Sequence, residues 1–254
     1  MEKIRFKNRI KFRNIITFKK WWTPVGSNFI IVCMLVVLSL FTLTNQTKSV
    51  FVSESENLYY NGDTSQPCVS LMVNVYWGNE YLVDMLQTFK EYDITTTFFV
   101  GGSWAVKYPE LLMQIYEDGH EIGNHGFFHK DQDKLNYEQN QTEIYNNHKL
   151  VKEYTGIDMT LFAPPSGAFS QTTLNVANNL GYSTIMWSKD TIDWRDQDKS
   201  LIIKRATTKI KNGDLILMHP TLQTALALPE IIESLIAQGF QIVTVSNNIC
   251  GNID

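Results

Sequence analysis

Two histidines spaced four residues apart are the first residues whose types and spacing suggest chemistry. His125 and His129 occur in the stretch "NHGFFHKD". Neutral imidazoles at this spacing project from one face of a helical turn and can converge on one metal ion. An isolated pair of this kind is more often two ordinary core or surface histidines. The pair therefore predicts a metal site only if other residues of suitable chemistry accompany it.

A metal site of this type usually includes a carboxylate, and the strand where one would be expected offers only one. The most apolar strand candidate, "CVSLMVNVYWGNE", contains Asn74, Val75 and Asn79 before it reaches its one acid, Glu80. An asparagine amide offers a carbonyl oxygen but accepts no proton near neutral pH, and valine cannot ligate a metal. The function of the chain therefore depends on how this strand and the histidine pair meet.

The elements that must position these residues alternate between strand and helix patterns from Cys68 onward. The strand candidates are "CVSLMVNV", "TTTFFVG", "HEIGNH", "LFAPP", "TIMWSK", "DLILMH" and "QIVTVS". Segments with apolar residues at three- and four-residue intervals separate them. Alternation of this kind predicts a parallel α/β fold. Seven strands in roughly 185 residues favour a small β/α barrel over an open nucleotide-binding sheet, and no GxGxxG or GxxxxGK[ST] motif occurs.

Several polar residues fall at the carboxyl ends of the predicted strands, where β/α barrels carry their chemistry. They are Asn74, His125, the "PPSG" stretch, Asp190, Asp193 and His219. Their shared placement predicts one common site.

The N-terminal part differs sharply in charge from the rest. Residues 1–28 contain eight Lys or Arg and one Glu, which gives this segment a charge of +7. The net charge of the whole chain is −4, so the remaining residues together carry −11. Residues 29–43 follow as 15 residues without a charge. We interpret them as an uncleaved transmembrane anchor, although a buried span normally needs about 20 apolar residues. The basic residues before it predict a cytoplasmic N-terminus and an extracytoplasmic C-terminal domain.

Two other interpretations of this part were weighed. A cleaved signal peptide would lead to the same side of the membrane. A basic arm binding nucleic acid would not explain the apolar run, and the acidic remainder would repel phosphate, so no nucleic-acid partner is expected. Residues 44–66 are polar and lack periodicity, which predicts a linker, and the folded domain is expected over residues 67–251.

The motifs, taken in order over residues 67–249, resemble the polysaccharide deacetylase family, also called the NodB-homology or carbohydrate esterase family 4 fold. "GHEIGNHGFFH" resembles its H-[ST]-x-x-H metal motif, with Gly126 at the Ser or Thr position. "FAPPSGAFS" resembles its R-P-P-[YF]-G motif, and "WSKDTIDW" and "LILMHPT" resemble its last two motifs. The resemblance implies a deformed (β/α)7 barrel that binds a divalent metal, usually zinc, through His125 and His129. It also implies removal of acetyl groups from a glycan.

The first motif departs from the family pattern. The family's T-F-D-D-G aligns with residues 72–76, so Asn74 replaces the Asp that acts as base and Val75 replaces the Asp that binds the metal. The sequence "NVYWGNEY" resembles a sporulation-associated branch with a W-G-[DN] version of this loop. Glu80 is then either a substitute base or ligand, assisted by the Asn74 carbonyl oxygen, or an exposed acid at the start of a helix.

The third motif departs as well, because Ala163 stands where most members have an Arg that orients the base. Pro164, Pro165, Ser166 and Gly167 are nevertheless expected to shape the substrate-binding loop. Backbone N–H groups from Ser166 onward would face an oxyanion.

The remaining motifs match the other half of the family's machinery. His219 corresponds to the general acid that protonates the leaving amine, and Asp193 would orient its imidazole, with Asp190 as the alternative partner. Trp194 and Leu217 match the lining around the acetyl methyl group. Trp77, with Trp187 and Trp104, is expected to offer faces on which sugars stack.

Two functions follow from these expectations. The first is a membrane-anchored, extracytoplasmic hydrolase of the metal-dependent N-deacetylase class, acting on an N-acetylated cell-wall polysaccharide such as peptidoglycan. The second is a catalytically impaired member of the same family that binds a glycan or acts as a scaffold, because fold does not fix function. The orientation of Glu80 relative to the two histidines separates them.

Overall fold

The computed structural model describes residues 28–37 and 57–251. Contacts divide the chain into two units, Met1–Phe51 and Val52–Asp254, which are described separately. In the first unit, residues 28–37 form helix α1, whose apolar side chains are exposed. Among the described residues no helix is both long enough and apolar enough to cross a membrane. Residues 1–27 and 38–43 of the predicted basic segment and anchor lie outside the described residues, so the anchor stays a prediction.

The second unit alternates strands with helices, as the sequence predicts. Its strands are β1 (Leu58–Tyr59), β2 (Cys68–Val75), β3 (Thr97–Val100), β4 (Glu121–Asn124), β5 (Leu161–Phe162), β6 (Ser183–Ile185), β7 (Lys189–Asp190), β8 (Leu215–Met218) and β9 (Gln241–Ile242). Its α-helices are α2 (Asn79–Glu91), α3 (Gly102–Lys107), α4 (Pro109–Glu117), α5 (Tyr137–Thr155), α6 (Gln171–Asn179), α7 (Lys199–Thr207), α8 (Leu222–Ala237) and α9 (Val245–Cys250).

The strands form one curled sheet in the order β1-β6-β5-β4-β3-β2-β8-β7, with β9 pairing with β2. Every strand pair in it is parallel, from β1–β6 at one end to β7–β8 at the other. The predicted parallel α/β class is therefore confirmed. The sheet does not close into the expected barrel. Its two edge strands, β1 and β7, are not paired with each other in the described part of the chain.

The segment that follows β1 lies across this opening. Asn61 forms an isolated bridge with Asp214, and the Gly62 N–H donates to the Gly213 carbonyl oxygen at 2.7 Å, just before β8. Residues 57–66, which the sequence suggested were part of a linker, therefore begin the folded domain. Strand β1 lies in a polar stretch without alternating apolar residues, which carries too little pattern to be recognised in a sequence.

Alternation along β2 creates two apolar layers on the two faces of the sheet. Leu71, Val73 and Val75 pack with the helices, whereas Met72 packs inside the curl of the sheet against Phe99 and other residues of the neighbouring strands. All eight residues of β2 are buried, as expected for a central strand of a parallel sheet. Asn74 follows Met72 by two residues and therefore lies on the inner face.

His120 is buried in the outer layer, where it packs as a structural residue. Its ring lies 5.6 Å from that of Phe89 and 5.0 Å from that of Phe98, and Nδ1 accepts a hydrogen bond from the Thr96 N–H at 3.2 Å. Burial lowers the pKa of His120 to about 4. The folded chain thus keeps this imidazole neutral under conditions in which the unfolded chain protonates it.

We expect this histidine to make the domain less stable as the pH falls from 6.5 to 4. The pKa of His120 is 6.5 when unperturbed and about 4 in the folded state, so between these values the unfolded state binds more protons and stability rises with pH. Urea unfolding of the wild type and of His120→Gln, whose amide oxygen can accept the same N–H, isolates the effect. The slope of stability against pH should be smaller in the variant by up to about 1.4 kcal/mol per pH unit. Equal slopes in the two proteins would contradict this assignment.

Candidate functional site

A cavity of about 580 Å³ opens at the carboxyl ends of the strands. Its lining consists of Asn74, Trp77, His125, His129, Ser166, Gly167, Trp187, Asp190, Trp194, Leu217 and His219. All eleven were named as candidates for the site from the sequence. Among these described residues Asp190 is the one with a carboxylate side chain.

His125 follows directly on β4 and forms the floor of the cavity. Its N–H donates to the Val100 carbonyl oxygen at 3.0 Å, and its Nδ1 lies 2.7 Å from the carbonyl oxygen of Ala163. Because a carbonyl oxygen only accepts, Nδ1 carries the proton and Nε2 has a free lone pair. Burial, reinforced by the nearby imidazole of His129, lowers the pKa of His125 to about 3. The ring is therefore neutral.

His129 stands across from His125 on the same loop. The two rings are 5.0 Å apart between centroids and inclined at 74°, and the Tyr76 ring lies 4.7 Å from that of His129. His129 has φ of +54°, a left-handed conformation that is uncommon outside glycine. Burial lowers its pKa as well. The structure thus brings together the two imidazoles that the sequence proposed as metal ligands.

A buried carboxylate that the sequence analysis missed holds the histidine loop. Oε2 of Glu143 accepts hydrogen bonds from the N–H groups of Phe127 at 3.1 Å and Phe128 at 2.7 Å. Its Oε1 lies 3.1 Å from Nζ of Lys130. The spacing of residues could have indicated that Glu143 is buried, because Asn140, Glu143 and other buried residues of α5 recur at helical spacing. A charged residue in such a buried stripe requires partners.

We expect Glu143→Ala to destabilise the domain by about 2–4 kcal/mol, because two partly buried N–H groups lose a charged acceptor. Glu143→Gln keeps one oxygen and should cost less. Glu138→Ala on the exposed face of the same helix is the matched control, with an expected effect within about 0.5 kcal/mol. Urea unfolding gives all three values, and equal costs at residues 138 and 143 would contradict the role assigned to Glu143.

Asn74 reaches the cavity from β2, and its amide is incompletely satisfied. The side chain is 5 % exposed, and Oδ1 is buried without a hydrogen-bond partner among the described residues. Val75 packs in the outer layer. Neither residue supplies the carboxylate that the family pattern places here.

Glu80 does not compensate for this loss. It lies in the first turn of α2, is exposed, and is not part of the cavity lining. Our sequence-based interpretation of Glu80 as a substitute base or ligand is therefore not supported, and that of an exposed acid at a helix start is. The reason is local: Gly78, with φ of +76°, precedes the helix and turns its first residues away from the cavity.

The donor set does not fit a tightly held catalytic zinc ion. Such sites use three protein ligands and one open position. In the described part of the chain, no three His, Cys, Asp or Glu side chains group in a way that could hold a metal. His125 and His129 supply two suitable nitrogens, and Asn74 offers an amide oxygen. The predicted zinc site is thus short of one charged ligand.

The structure also brings together His219, the predicted general acid, and Asp193, its predicted partner. Asp193 is completely buried, and its Oδ1 lies 2.8 Å from Nδ1 of His219. Its Oδ2 accepts hydrogen bonds from the His219 N–H at 2.6 Å and from the Thr224 hydroxyl at 2.7 Å. This arrangement fixes the imidazole and turns Nε2 away from Asp193. Asp190, the alternative partner, instead accepts a hydrogen bond from the Ile192 N–H at 2.8 Å.

Aromatic side chains surround the mouth of the cavity. The Trp77 ring is stacked on His219, with 5.6 Å between centroids and 7° between planes. Trp77 and Trp194 are 41 % and 53 % exposed, so the faces that His219 and the Arg195 guanidinium leave uncovered are available to a ligand. Trp187 is half-buried in the lining. Trp104 was wrongly expected to join them, because it is buried in the outer layer.

The "PPSG" stretch forms a tight turn beside the histidines. Pro164 and Pro165 are buried beneath the lining, and Ser166 is exposed with φ of +56°. The N–H groups of Gly167 and Ala168 donate to the carbonyl oxygens of Pro164 and Pro165, each at 3.0 Å. These two N–H groups are therefore occupied within the turn, contrary to the expectation that they would face an oxyanion.

Comparisons with known proteins agree with the geometry. A family model described as "Polysaccharide deacetylase" matches residues 61–185. The uncharacterised protein YlxY of Bacillus subtilis (strain 168) is 37 % identical over 187 residues, which cover 74 % of this chain and 59 % of YlxY. A peptidoglycan-N-acetylglucosamine deacetylase of Bacillus cereus is 31 % identical over 172 residues, covering 65 % of this chain and 80 % of that enzyme.

A solved structure is also similar. The wild-type protein BA3943 from Bacillus anthracis, described as a CE4 family pseudoenzyme, has a TM-score of 0.74 and 32 % identity, covering 76 % of this chain and 68 % of that one. A mutant of the same pseudoenzyme is described as having restored enzymatic activity.

Proposed function

Because this chain belongs to the polysaccharide deacetylase family, we propose that it binds a cell-wall glycan in the cavity and that its hydrolysis of N-acetyl groups is impaired. The observation that carries the proposal is the state of the cavity at Asn74. An amide with an unpartnered oxygen occupies the position of the family's base, and Glu80 lies outside the lining.

The same cavity keeps the features that bind sugars. Trp77, Trp187 and Trp194 offer aromatic faces, and such faces pack well on the apolar sides of sugar rings. Among its relatives are a deacetylase named for peptidoglycan and a family pseudoenzyme. The peptidoglycan deacetylase supports a cell-wall polymer as the ligand. The pseudoenzyme supports impaired hydrolysis, because it shows that a member of this family can lack turnover.

Retained hydrolysis is the second candidate, and the intact His219–Asp193 pair favours it. The imidazole is held by a fully buried carboxylate, as expected of a group that donates a proton to a leaving amine. In this case a residue other than Asn74 or Glu80 must accept the proton of the attacking water.

One experiment separates the two candidates. The full-length chain, kept in mild detergent because residues 29–43 are apolar, is mixed with purified peptidoglycan. Bound protein and released acetate are then measured, with and without a chelator. We expect saturable binding and acetate release at the level of buffer. Trp77→Ala should weaken binding at least about tenfold, whereas Tyr145→Ala, an exposed aromatic residue on α5, should not. Release of acetate that the chelator abolishes would overturn the proposal in favour of hydrolysis.

We further propose that residues 29–43 anchor the chain in the cell membrane as a single pass and that the glycan-binding domain is extracytoplasmic. The charge distribution supports this orientation. Cys250 is exposed and Cys68 is buried, which provides a test. In protoplasts that express a Cys33→Ser chain, a membrane-impermeant maleimide should label Cys250 without lysis. Labelling only after lysis would contradict the orientation.

A further inference from the structure

The hydrogen-bonding character of the cavity indicates which form of a glycan it accepts. His125 donates its Nδ1 proton to the Ala163 carbonyl oxygen, so this ring leaves Nε2 for a ligand. A neutral imidazole offers one lone pair in addition to one N–H. Nε2 of His125 is thus an atom of the lining that remains for a hydrogen-bond donor on the ligand.

The charge of the cavity also favours a ligand that donates hydrogen bonds, and in particular a cation. Among the described residues that line it, Asp190 is the one carboxylate and none is Lys or Arg. Oδ1 of Asp190 accepts from the Ile192 N–H, and Oδ2 has no protein partner in the described part of the chain. Arg195 lies nearby, but its guanidinium is paired with Asp196 at 2.9 Å and 3.0 Å and lies outside the lining. The carboxylate of Asp190 therefore remains available to a cation.

The aromatic residues of the rim add a third preference. One face of each exposed indole is already covered, that of Trp77 by His219 and that of Trp194 by the Arg195 guanidinium, 6.0 Å from the ring centroid. The remaining indole surface attracts cations as well as the apolar sides of sugars. An acetamido group is neutral and carries one N–H donor and one carbonyl acceptor, whereas a protonated amino group carries three N–H donors. The second group matches the lone pair of His125, the carboxylate and the remaining indole surface of this cavity.

We propose that the cavity selects glycans whose amino sugars carry a free, protonated amine over their N-acetylated counterparts. This inference rests on the proposed glycan-binding function and names the form of glycan that is bound. The ammonium lies against Asp190 and Nε2 of His125. Since the amine arises when an acetamide is hydrolysed to an amine and acetate, an N-deacetylation by another enzyme must precede binding.

The test compares two defined probes, the β-1,4-linked hexamer of N-acetylglucosamine and the fully deacetylated hexamer. Binding to the full-length chain is followed by calorimetry at pH 6 in the presence of EDTA. We expect the amine form to bind at least about tenfold more tightly, the scale of one additional close ion pair in a partly buried site.

Asp190→Asn is the decisive variant, because its Oδ1 can still accept from the Ile192 N–H while the charge is lost. It should bring the two affinities to within about twofold of each other. Glu80→Gln removes one negative charge outside the cavity and should leave the preference intact.

Equal or tighter binding of the N-acetylated probe would overturn the inference and leave the proposed function standing. An equal loss in both variants would also overturn it, since the preference would then reflect general surface charge. Failure of both probes to bind would overturn the proposed function itself.

Discussion

Replacing Asn74 by aspartate is expected to raise the affinity of the chain for zinc by about 10- to 100-fold, the scale on which single supporting groups alter zinc sites. The substitution keeps the size of the side chain and places a carboxylate on the cavity wall that also carries His125 and His129. It supplies the third charged or imidazole ligand that the described residues lack. Competition with a chromogenic chelator measures the affinity.

A second Asn in the same segment provides the control. Asn79→Asp makes the same change of charge at the start of α2, and Asn79 does not line the cavity. Its zinc affinity should equal that of the wild type, and His125→Ala should abolish the gain in the Asn74→Asp chain. An equal gain in both aspartate variants, or none in either, would show that Asn74 is not placed to complete the site.

The substitution also replaces a group that accepts no proton with one that does. Acetate release from peptidoglycan is therefore the second readout for Asn74→Asp. The mutant of BA3943 described as having restored activity shows that a family pseudoenzyme can regain turnover. Ala163 is a further departure from the family pattern, so binding of zinc is expected to return more completely than hydrolysis.

Asp193→Ala is expected to destabilise the domain by about 3–5 kcal/mol, the largest loss of stability among the substitutions considered. The carboxylate is fully buried and accepts three hydrogen bonds, from the His219 N–H, His219 Nδ1 and the Thr224 hydroxyl. Removing it leaves these donors without their acceptor inside the fold, which costs far more than losing a surface contact. Urea unfolding of the full-length chain in detergent gives the value.

Two comparisons make this measurement specific. Asp193→Asn keeps one oxygen acceptor and should cost less than the alanine variant. Asp84→Ala removes an exposed acid from α2 and should change stability by no more than about 0.5 kcal/mol. If residues 84 and 193 gave similar values, the carboxylate would not be the centre of a buried hydrogen-bond group.

The parallel α/β class and most of the strands could be predicted because their residues carry strong patterns. The buried strand β2, with six apolar residues among its eight, and the regular alternation of strand and helix leave few other folds. The edges could not be predicted. Strands β1 and β7 lie in polar stretches without apolar alternation and depend on partners distant in sequence, so no local signal marks them.

Most of the cavity could also be predicted, since the carboxyl ends of parallel strands meet at one edge of the sheet. Asn74, His125 and His219 lie together for this reason. The position of Glu80 depended on a single backbone turn at Gly78, which residue types alone do not specify. Glu143 was missed because it is 18 residues from His125 in sequence and acts through backbone N–H groups.

The conformation of Gly126 has a consequence for the history of this site. Its φ is +69°, and a Cβ atom there would lie 3.3 Å from Nε2 of Gln132 and 3.4 Å from Cγ of Pro165. A serine or threonine, which the family pattern places at this position, would be strained in the present backbone whatever the space around it.

Asn74 could therefore revert to aspartate in a single step, whereas residue 126 could revert only together with a rearrangement of its loop. Evolution could thus restore the carboxylate of the site independently, but it could restore the hydroxyl side chain at residue 126 only by moving the backbone as well.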